Sequence, residues 1–500
     1  MSTANQAGRQ QRAVKHRDYT YLGLTQSLCP ECMEVVPAKI ITRGKRVFFR
    51  KTCETHGTRE DFVCSDVGRY DRIDTSLPAK LPAKTFVEPS QGCPKDCGLC
   101  SEHEQHTCIG VIEITDGCNL TCPMCYAASA PGRQHRSLDE IKSAIDRLVE
   151  AEGQVEVMQL SGGEPTLHPQ LLEAIDYALE RPVDYVMINT NGIRFSHDRE
   201  LLERIAENKE RVEIYFQMDS LDDSTVERLR GQKGLVEKKL LALANLAEVG
   251  LNVTLVATLQ GGLNEGAPAD LLEFAKGQPH VTGLSLQPAT YSGRHVLPEE
   301  LEKRVTFPDV IDGIVADSRN EFGTDDFFPL PCAHPNCHWI GLATRTESGF
   351  LPLTKWIDAE ANLDLLANGI SFTRQQTRRL AEQAMARLAC EGESCCSGVD
   401  TPSSGKESGL PVLEASVPSG KSKSGIEQFL SRVVEQKVGA RDLLRITITS
   451  FLDVYNFDVR RVMKCCTHHV LPSGHIVPFC AYNVLYRDGT VPLPKLAESE

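Results

Sequence analysis

The chain predicts an α/β fold in which helices cover a mostly parallel sheet, and three observations carry that reading. Between Ile109 and about Ser292, apolar runs of strand length alternate with stretches of helical period in six units. The runs are continuous, as in strands buried on both faces. Each ends in a short polar or glycine-containing loop, the place where such folds carry their ligand sites.

Length and charge narrow the function classes. The 500 residues allow several domains, and a net charge of −14 disfavours a nucleic-acid polyanion as partner. No run of 18 apolar residues occurs, so no transmembrane helix is expected, although peripheral membrane contact stays open. Residues 1–20 are polar and basic without the apolar core of a secretory signal; a disordered tail and a cytoplasmic location are expected. The 19 cysteines are odd in number and several stand at two- and three-residue spacings, which favours metals in a reducing compartment over disulfides.

Taken in order, residues 21–75 predict a metal knuckle domain. Cys29 and Cys32 form a C-x2-C pair, the segment from Ala38 to Phe49 alternates around a turn at Arg43-Gly44, and Cys53 supplies a third thiol. With Cys64 or His56 as fourth ligand this describes a zinc-ribbon or rubredoxin-like site for zinc or mononuclear iron. Residues 76–108 read as a proline-rich linker carrying Cys93, Cys97 and Cys100. These suit an auxiliary cluster whose fourth ligand is Cys108, His103, His106 or a more distant residue.

The strand from Val111 to Thr115 runs into a loop with Cys118, Cys122 and Cys125 in C-x3-C-x2-C spacing. Three thiolates hold three irons of a [4Fe–4S] cluster and leave the fourth iron open to a cofactor. Ser137-Leu138-Asp139-Glu140 is a capping box that opens a helix through about Ala151. A second strand, Val155 to Leu160, ends in Ser161-Gly162-Gly163-Glu164-Pro165, where glycine permits close backbone approach to a ligand and Glu164 can accept from an ammonium group. Helices over 167–180, 199–208 and 235–249 and strands over 183–188, 212–218, 251–259 and 281–287 complete the pattern.

The cysteine spacing, with the GGEP turn about 40 residues on, resembles the radical S-adenosylmethionine (SAM) superfamily. The resemblance implies a partial (β/α)6 radical SAM barrel over 109–295 and SAM chelated at the open iron through its amino and carboxylate groups. It makes Gly162, Gly163 and Glu164 cofactor contacts, with Asn191 for the ribose, Gln217, Asp219 and Ser220 for ribose or carboxylate, and Gln287 near the adenosine. Cys93, Cys97 and Cys100 share the spacing, but no strand leads into them and no GGEP follows, so they stay with the auxiliary cluster.

Residues 296–390 carry Cys332 and Cys337, then an Arg- and Gln-rich helix over 373–388 with a solvated face. Residues 391–424 read as a flexible linker, and Cys390, Cys395 and Cys396 have no assignment. The C-terminal segment, 425–500, holds a turn at Pro472-Ser473-Gly474 that would bring Cys465 or Cys466 near Cys480. Together with Cys332 and Cys337 these predict another cluster in a C-terminal extension. The layout is similar to a branch that includes archaeal tetraether lipid synthase and pterin methyltransferase-like proteins. That likeness implies a mononuclear iron, a SAM cluster and two auxiliary clusters. It also implies ferredoxin or flavodoxin as reductant and cleavage of SAM to a 5′-deoxyadenosyl radical that abstracts hydrogen from an unactivated carbon. Carbon–carbon bond formation on a lipid-like substrate expects a long apolar tunnel. Methylation of a pterin or similar small molecule expects a hydrophilic pocket. An iron–sulfur electron carrier is the reading from another class.

Overall fold

The computed structural model describes residues 17–295, 301–365 apart from 318, 320, 321, 348, 356 and 357, and 439–497. The helix expected over 373–388, the linker over 391–424 and Cys390, Cys395 and Cys396 lie outside the described residues.

The N-terminal ribbon is a four-stranded antiparallel sheet in sequence order: β1 (Thr20–Leu28), β2 (Val35–Arg43), β3 (Arg46–Cys53) and β4 (Gly57–Cys64). β2 and β3 form the hairpin expected around Arg43-Gly44, with Gly44 at φ 59°. Residues 76–108 cross to the barrel with little regular structure. There the Asp96 carboxylate accepts from the backbone N–H groups of Ser90 and Gly92, each at 2.7 Å.

The large sheet has twelve strands. Its centre is six parallel strands in sequence order: β5 (Ile109–Thr115), β6 (Val155–Gly162), β7 (Val183–Thr190), β8 (Val212–Gln217), β9 (Asn252–Leu259) and β10 (Val281–Pro288). The connections carry α1 (Leu138–Glu152), α2 (Leu171–Leu179), α3 (Arg199–Ala206), α4 (Asp223–Arg230), α5 (Leu235–Val249) and α6 (Ala267–Lys276). α1 shows why the helices pack where they do. Ser137 and Glu140 form the reciprocal capping box, and Ile141, Ala144, Ile145, Leu148 and Ala151 recur at three- and four-residue intervals to make one buried face. That face joins a continuous core with Ile112, Ile114, Met158 and Leu160 of the strands.

Both edges of this partial barrel are extended. β14 (Leu443–Thr449) adds parallel to β10, followed by the antiparallel β12 (His338–Thr346) and β11 (Phe328–Pro329); β13 (Gly349–Pro352) pairs with β12. On the other side β15 (Thr467–Val470) adds parallel to β5 and turns at Gly474, φ 86°, into β16 (Ile476–Pro478). The C-terminal segment therefore contributes a strand to each edge.

Candidate active site

The loop after β5 carries Cys118, Cys122 and Cys125 at the mouth of a cavity of about 220 Å³. Neighbouring strand ends fix the loop. Gly163 N donates to Thr115 O at 2.7 Å, and Glu164 N donates to Gly117 O at 2.9 Å. A Cβ on Gly162 would stand 2.1 Å from Thr115 O, and one on Gly163 would stand 2.1 Å from Gly117 O. The two glycines thus let the end of β6 close on the cysteine loop itself. Behind the sixth strand, Arg294 clamps the same loop from the far side. Its backbone N–H donates to Cys125 O at 3.0 Å, Nε to Cys122 O at 3.1 Å and Nη1 to Ser129 O at 2.7 Å. Arg294 Nη2 is buried with no hydrogen-bond partner among the described residues.

Of the SAM contacts expected from sequence, Gly162, Gly163, Asn191, Gln217 and Gln287 line the cavity. Glu164, Asp219 and Ser220 do not line it. Glu164 is buried and accepts from Thr166 N (3.1 Å), Thr166 Oγ1 and Thr190 Oγ1 (2.7 Å each) and Asn191 N (2.7 Å), which ties the ends of β6 and β7 together. Asp219 is fully buried and bonds both Nε and Nη2 of Arg230, at 2.6 and 2.5 Å, besides Thr258 N. Burial alone would raise its pKa, yet the Arg230 guanidinium holds it below the ordinary carboxylate value. Ser220 Oγ accepts from Asp222 N at 3.1 Å in the turn that starts α4. Where a ribose or carboxylate contact was expected of them, Asp219 and Ser220 bond within the protein and support the loop after β8.

Two cations that the sequence reading missed stand beside the cysteines. Arg230 lies against the Cys122 thiol as well as Asp219. Lys239 is fully buried and donates from Nζ to Asn191 O at 2.7 Å and Gln217 O at 2.6 Å; burial lowers its pKa to about 8. Their sequence signals existed, in the Asp222 cap and Gly231 C-cap of α4 and in a lysine amid the apolar face of α5.

The rest of the cavity is mixed: Val111, Leu120, Met187, Val256, Phe451 and Phe479 give it apolar surface, and a band of polar groups stands among them. Gln287 Nε2 donates to Tyr215 OH at 2.9 Å and to Ser285 Oγ at 3.3 Å. Asn189 Nδ2 donates to Ser161 Oγ at 3.1 Å, and Thr254, Thr447 and Asn483 add hydroxyl and amide groups.

The remaining described cysteines sort into five places. Cys29, Cys32, Cys53 and His56 bring their ligand atoms within 4.8 Å of one another, a donor set that suits one tetrahedral ion. Cys64 is not among them. It pairs with Val47 on β3, six residues from Cys53, so about 20 Å of strand separates it from the site; burial pushes its thiol up to about 12. Cys93, Cys97 and Cys100 line one cavity of about 20 Å³ with His103, and Cys337, Cys465 and Cys480 line another. Arg461 Nε donates to Cys337 Sγ, and Leu452 N to Cys480 Sγ, each at 3.2 Å. Of the expected group of Cys332, Cys337, Cys480 and Cys465 or Cys466, the structure brings Cys337, Cys465 and Cys480 to one cavity, while Cys332 and Cys466 pack with Cys108.

Comparison with known proteins follows the same division. The radical SAM superfamily matches residues 112–275, and the HMPTM N-terminal zinc ribbon domain matches residues 21–65. A 7,8-dihydro-6-hydroxymethylpterin dimethyltransferase of Methanocaldococcus jannaschii is 30% identical over 492 residues, covering 93% of this chain and 94% of that protein. An Fe-coproporphyrin III synthase of Methanosarcina barkeri is 35% identical over 174 residues, 34% of this chain and 41% of that protein. Among solved structures, Streptococcus suis SuiB bound to S-adenosylmethionine aligns at a TM-score of 0.33 and 16% identity, covering 39% of this chain and 44% of that one.

Proposed function

The chain belongs to the radical SAM superfamily, and from that premise we propose that it methylates a pterin or a similar small polar heterocycle, with SAM as methyl donor. It is an enzyme that uses [4Fe–4S] iron–sulfur and SAM, and it needs an external reductant and a substrate. The observation that carries the substrate reading is the band of polar side chains within the mixed cavity beside Cys118, Cys122 and Cys125. Tyr215, Ser285, Gln287, Asn189 and Thr254 offer donors and acceptors along the depth of the cavity. These groups bond to one another, and a fused heterocycle with ring nitrogens and a carbonyl can exchange hydrogen bonds with them, whereas an alkyl chain offers them none. A hydrophilic pocket is what the pterin reading expects and a long apolar tunnel is what the lipid reading expects. The name of the M. jannaschii relative supports the same substrate class.

Cys118, Cys122 and Cys125 would hold three irons of the SAM cluster. When bound, the cluster and SAM supply one-electron chemistry that opens an unactivated C–H bond. The chain's own residues do the rest. Gly162, Gly163 and Arg294 fix the cysteine loop, and Lys239 ties the backbone ends of β7 and β8 at the cavity rim. Asn191 and Gln217 would face SAM, while Gln287 and Tyr215 would orient the substrate. Cys93/Cys97/Cys100 and Cys337/Cys465/Cys480 would hold the two auxiliary clusters, and Cys29/Cys32/Cys53/His56 zinc or iron. Ferredoxin or flavodoxin is the proposed electron donor and the cytoplasm the proposed location. No helix of the described residues is long and apolar enough to cross a membrane.

The test uses anaerobically reconstituted protein with SAM, dithionite and 6-hydroxymethyl-7,8-dihydropterin, read by mass spectrometry beside a Cys118/Cys122/Cys125→Ala variant. Deoxyadenosine and a methylated pterin from the parent, with neither from the variant, are expected. Deoxyadenosine with unmodified pterin sinks the substrate reading. Joining or desaturation of acyl chains in a parallel lipid incubation would restore the lipid reading.

A further inference from the structure

The cavity of Cys93, Cys97 and Cys100 offers three thiols to a cluster whose irons take four ligands. Of Cys108, His103 and His106, the nearby candidates for the fourth place, His103 is the one that lines this cavity. It stands three residues beyond Cys100 in the same turn, and its backbone N–H donates to Cys100 O at 3.1 Å. The other polar groups of the wall are poorer ligands. Asp96 is occupied, accepting from the backbone N–H groups of Ser90, Gln91 and Gly92, Glu102 is exposed, and Met463 brings only a thioether.

The hydrogen bonds of His103 fix which ring nitrogen is left for a metal. Both use Nε2, which lies 2.9 Å from Cys465 O and 3.0 Å from His468 Nε2. A carbonyl oxygen only accepts, so Nε2 carries the proton, and the neutral ring keeps its lone pair on Nδ1. The buried His468 fits the same assignment. Its Nε2 accepts from that N–H, which puts its own proton on Nδ1, 3.0 Å from the Thr107 Oγ1 acceptor. Thr107 is held in turn, its backbone N–H donating to Glu152 Oε1 at 2.9 Å. Metal-bound histidines are oriented in this way, with the far N–H given to a backbone carbonyl.

We propose that His103 Nδ1 is the fourth ligand of the auxiliary cluster beside Cys93, Cys97 and Cys100, an inference that rests on reading those thiols as a cluster site. The ring then stands between two clusters. Its Nδ1 meets an iron of one, and its Nε2–H bonds the carbonyl of Cys465, which shares the other cavity with Cys337 and Cys480. A neutral imidazole in place of a thiolate removes one negative charge from the cluster and raises its reduction potential.

The test is pulsed electron paramagnetic resonance of the full-length protein, made with 15N-histidine, reconstituted with iron and sulfide and reduced without SAM. A histidine nitrogen coupled to a cluster is expected in the parent. His103→Cys is expected to lose that coupling, keep its iron and sulfide and reduce at a lower potential. No coupling in the parent overturns the proposal whether or not a variant folds. A coupling that survives His103→Cys belongs to another histidine and overturns it equally. Loss of iron and sulfide from Cys108→Ser beside an unchanged His103→Ala would give the fourth place to Cys108. Cys97→Ser separates this inference from the reading beneath it. Unchanged iron and sulfide there would remove the cluster itself, whereas their loss there, with no histidine coupling in the parent, would remove the histidine alone.

Discussion

At the scale of the residue, the cofactor cysteines were legible because their ligand geometry is local. Cys118, Cys122 and Cys125 lie on one loop, and spacing alone nearly determines which atoms meet. Asp219 and Ser220 bond to protein groups, and a polar residue at a strand end has the same sequence signature whether it faces a ligand or supports a loop. What decides is the partner, and Arg230 comes from the next helix. The Asp219–Arg230 pair makes a specific prediction. Asp219→Asn leaves a buried guanidinium without its counter-charge and is expected to cost about 3–5 kcal/mol. The folded pKa of Asp219 lies below its ordinary value, so its stabilisation is present above about pH 3.8 and is lost as pH falls through the folded value. Urea unfolding of the metal-free protein should therefore show a wide gap between parent and variant at pH 6 that closes below pH 3.8. A gap independent of pH would mean that the carboxylate charge plays no part.

At the scale of the element, the six parallel strands and the helices α1, α2, α3 and α5 were readable because long apolar runs and capping boxes are strong, short-range signals. α4, α6 and α7 (Phe307–Val315) were missed. α4 is short and mostly charged, so it carries little hydrophobic period, although Asp222 and Gly231 cap it. The choice between Cys64 and His56 stayed open in the sequence for an element-scale reason as well. Eleven residues of sequence look close, yet a hairpin carries position 64 to the far end of its ladder while His56 stays at the turn beside Cys53. The contact between β6 and the cysteine loop yields the second prediction. Gly163→Ala drives a Cβ against Gly117 O, an overpacking cost of about 1–3 kcal/mol that falls on the cluster loop. Deoxyadenosine formation should drop at least about tenfold, the equivalent of 1.4 kcal/mol in barrier. Ser137→Ala, which removes the α1 cap far from the cavity, should cost about 1 kcal/mol of stability and leave deoxyadenosine formation unchanged. Equal turnover in the Gly163 and Ser137 variants would mean that the loop tolerates displacement.

At the scale of the whole molecule, the sequence reading treated the N-terminal ribbon and the C-terminal segment as appendages, because composition changes at their borders while contacts across them leave no local mark. The structure builds them into one body. Lys51 of β3 is buried against Asp61 at 3.1 Å and donates from Nζ to Val454 O at 2.9 Å, with burial lowering its pKa to about 8. Thr25 Oγ1 of β1 donates to Asp458 Oδ1 at 2.6 Å. Asp458 is itself fully buried and caps the helix Val459–Met463 that leads to Cys465 and Cys466. Removing the ribbon would thus strip partners from the element that positions the C-terminal thiols, and at about 1–3 kcal/mol per buried group left unpaired the loss would be felt there first. A chain beginning at residue 66 is accordingly expected to fall short of the parent in the iron and sulfide held by Cys337, Cys465 and Cys480, even if its SAM cluster can still be reconstituted. Metal and sulfide analysis with electron paramagnetic resonance of each reduced cluster measures this directly. A truncated protein with its full cluster content would make the ribbon an independent module, joined to the barrel without supporting it.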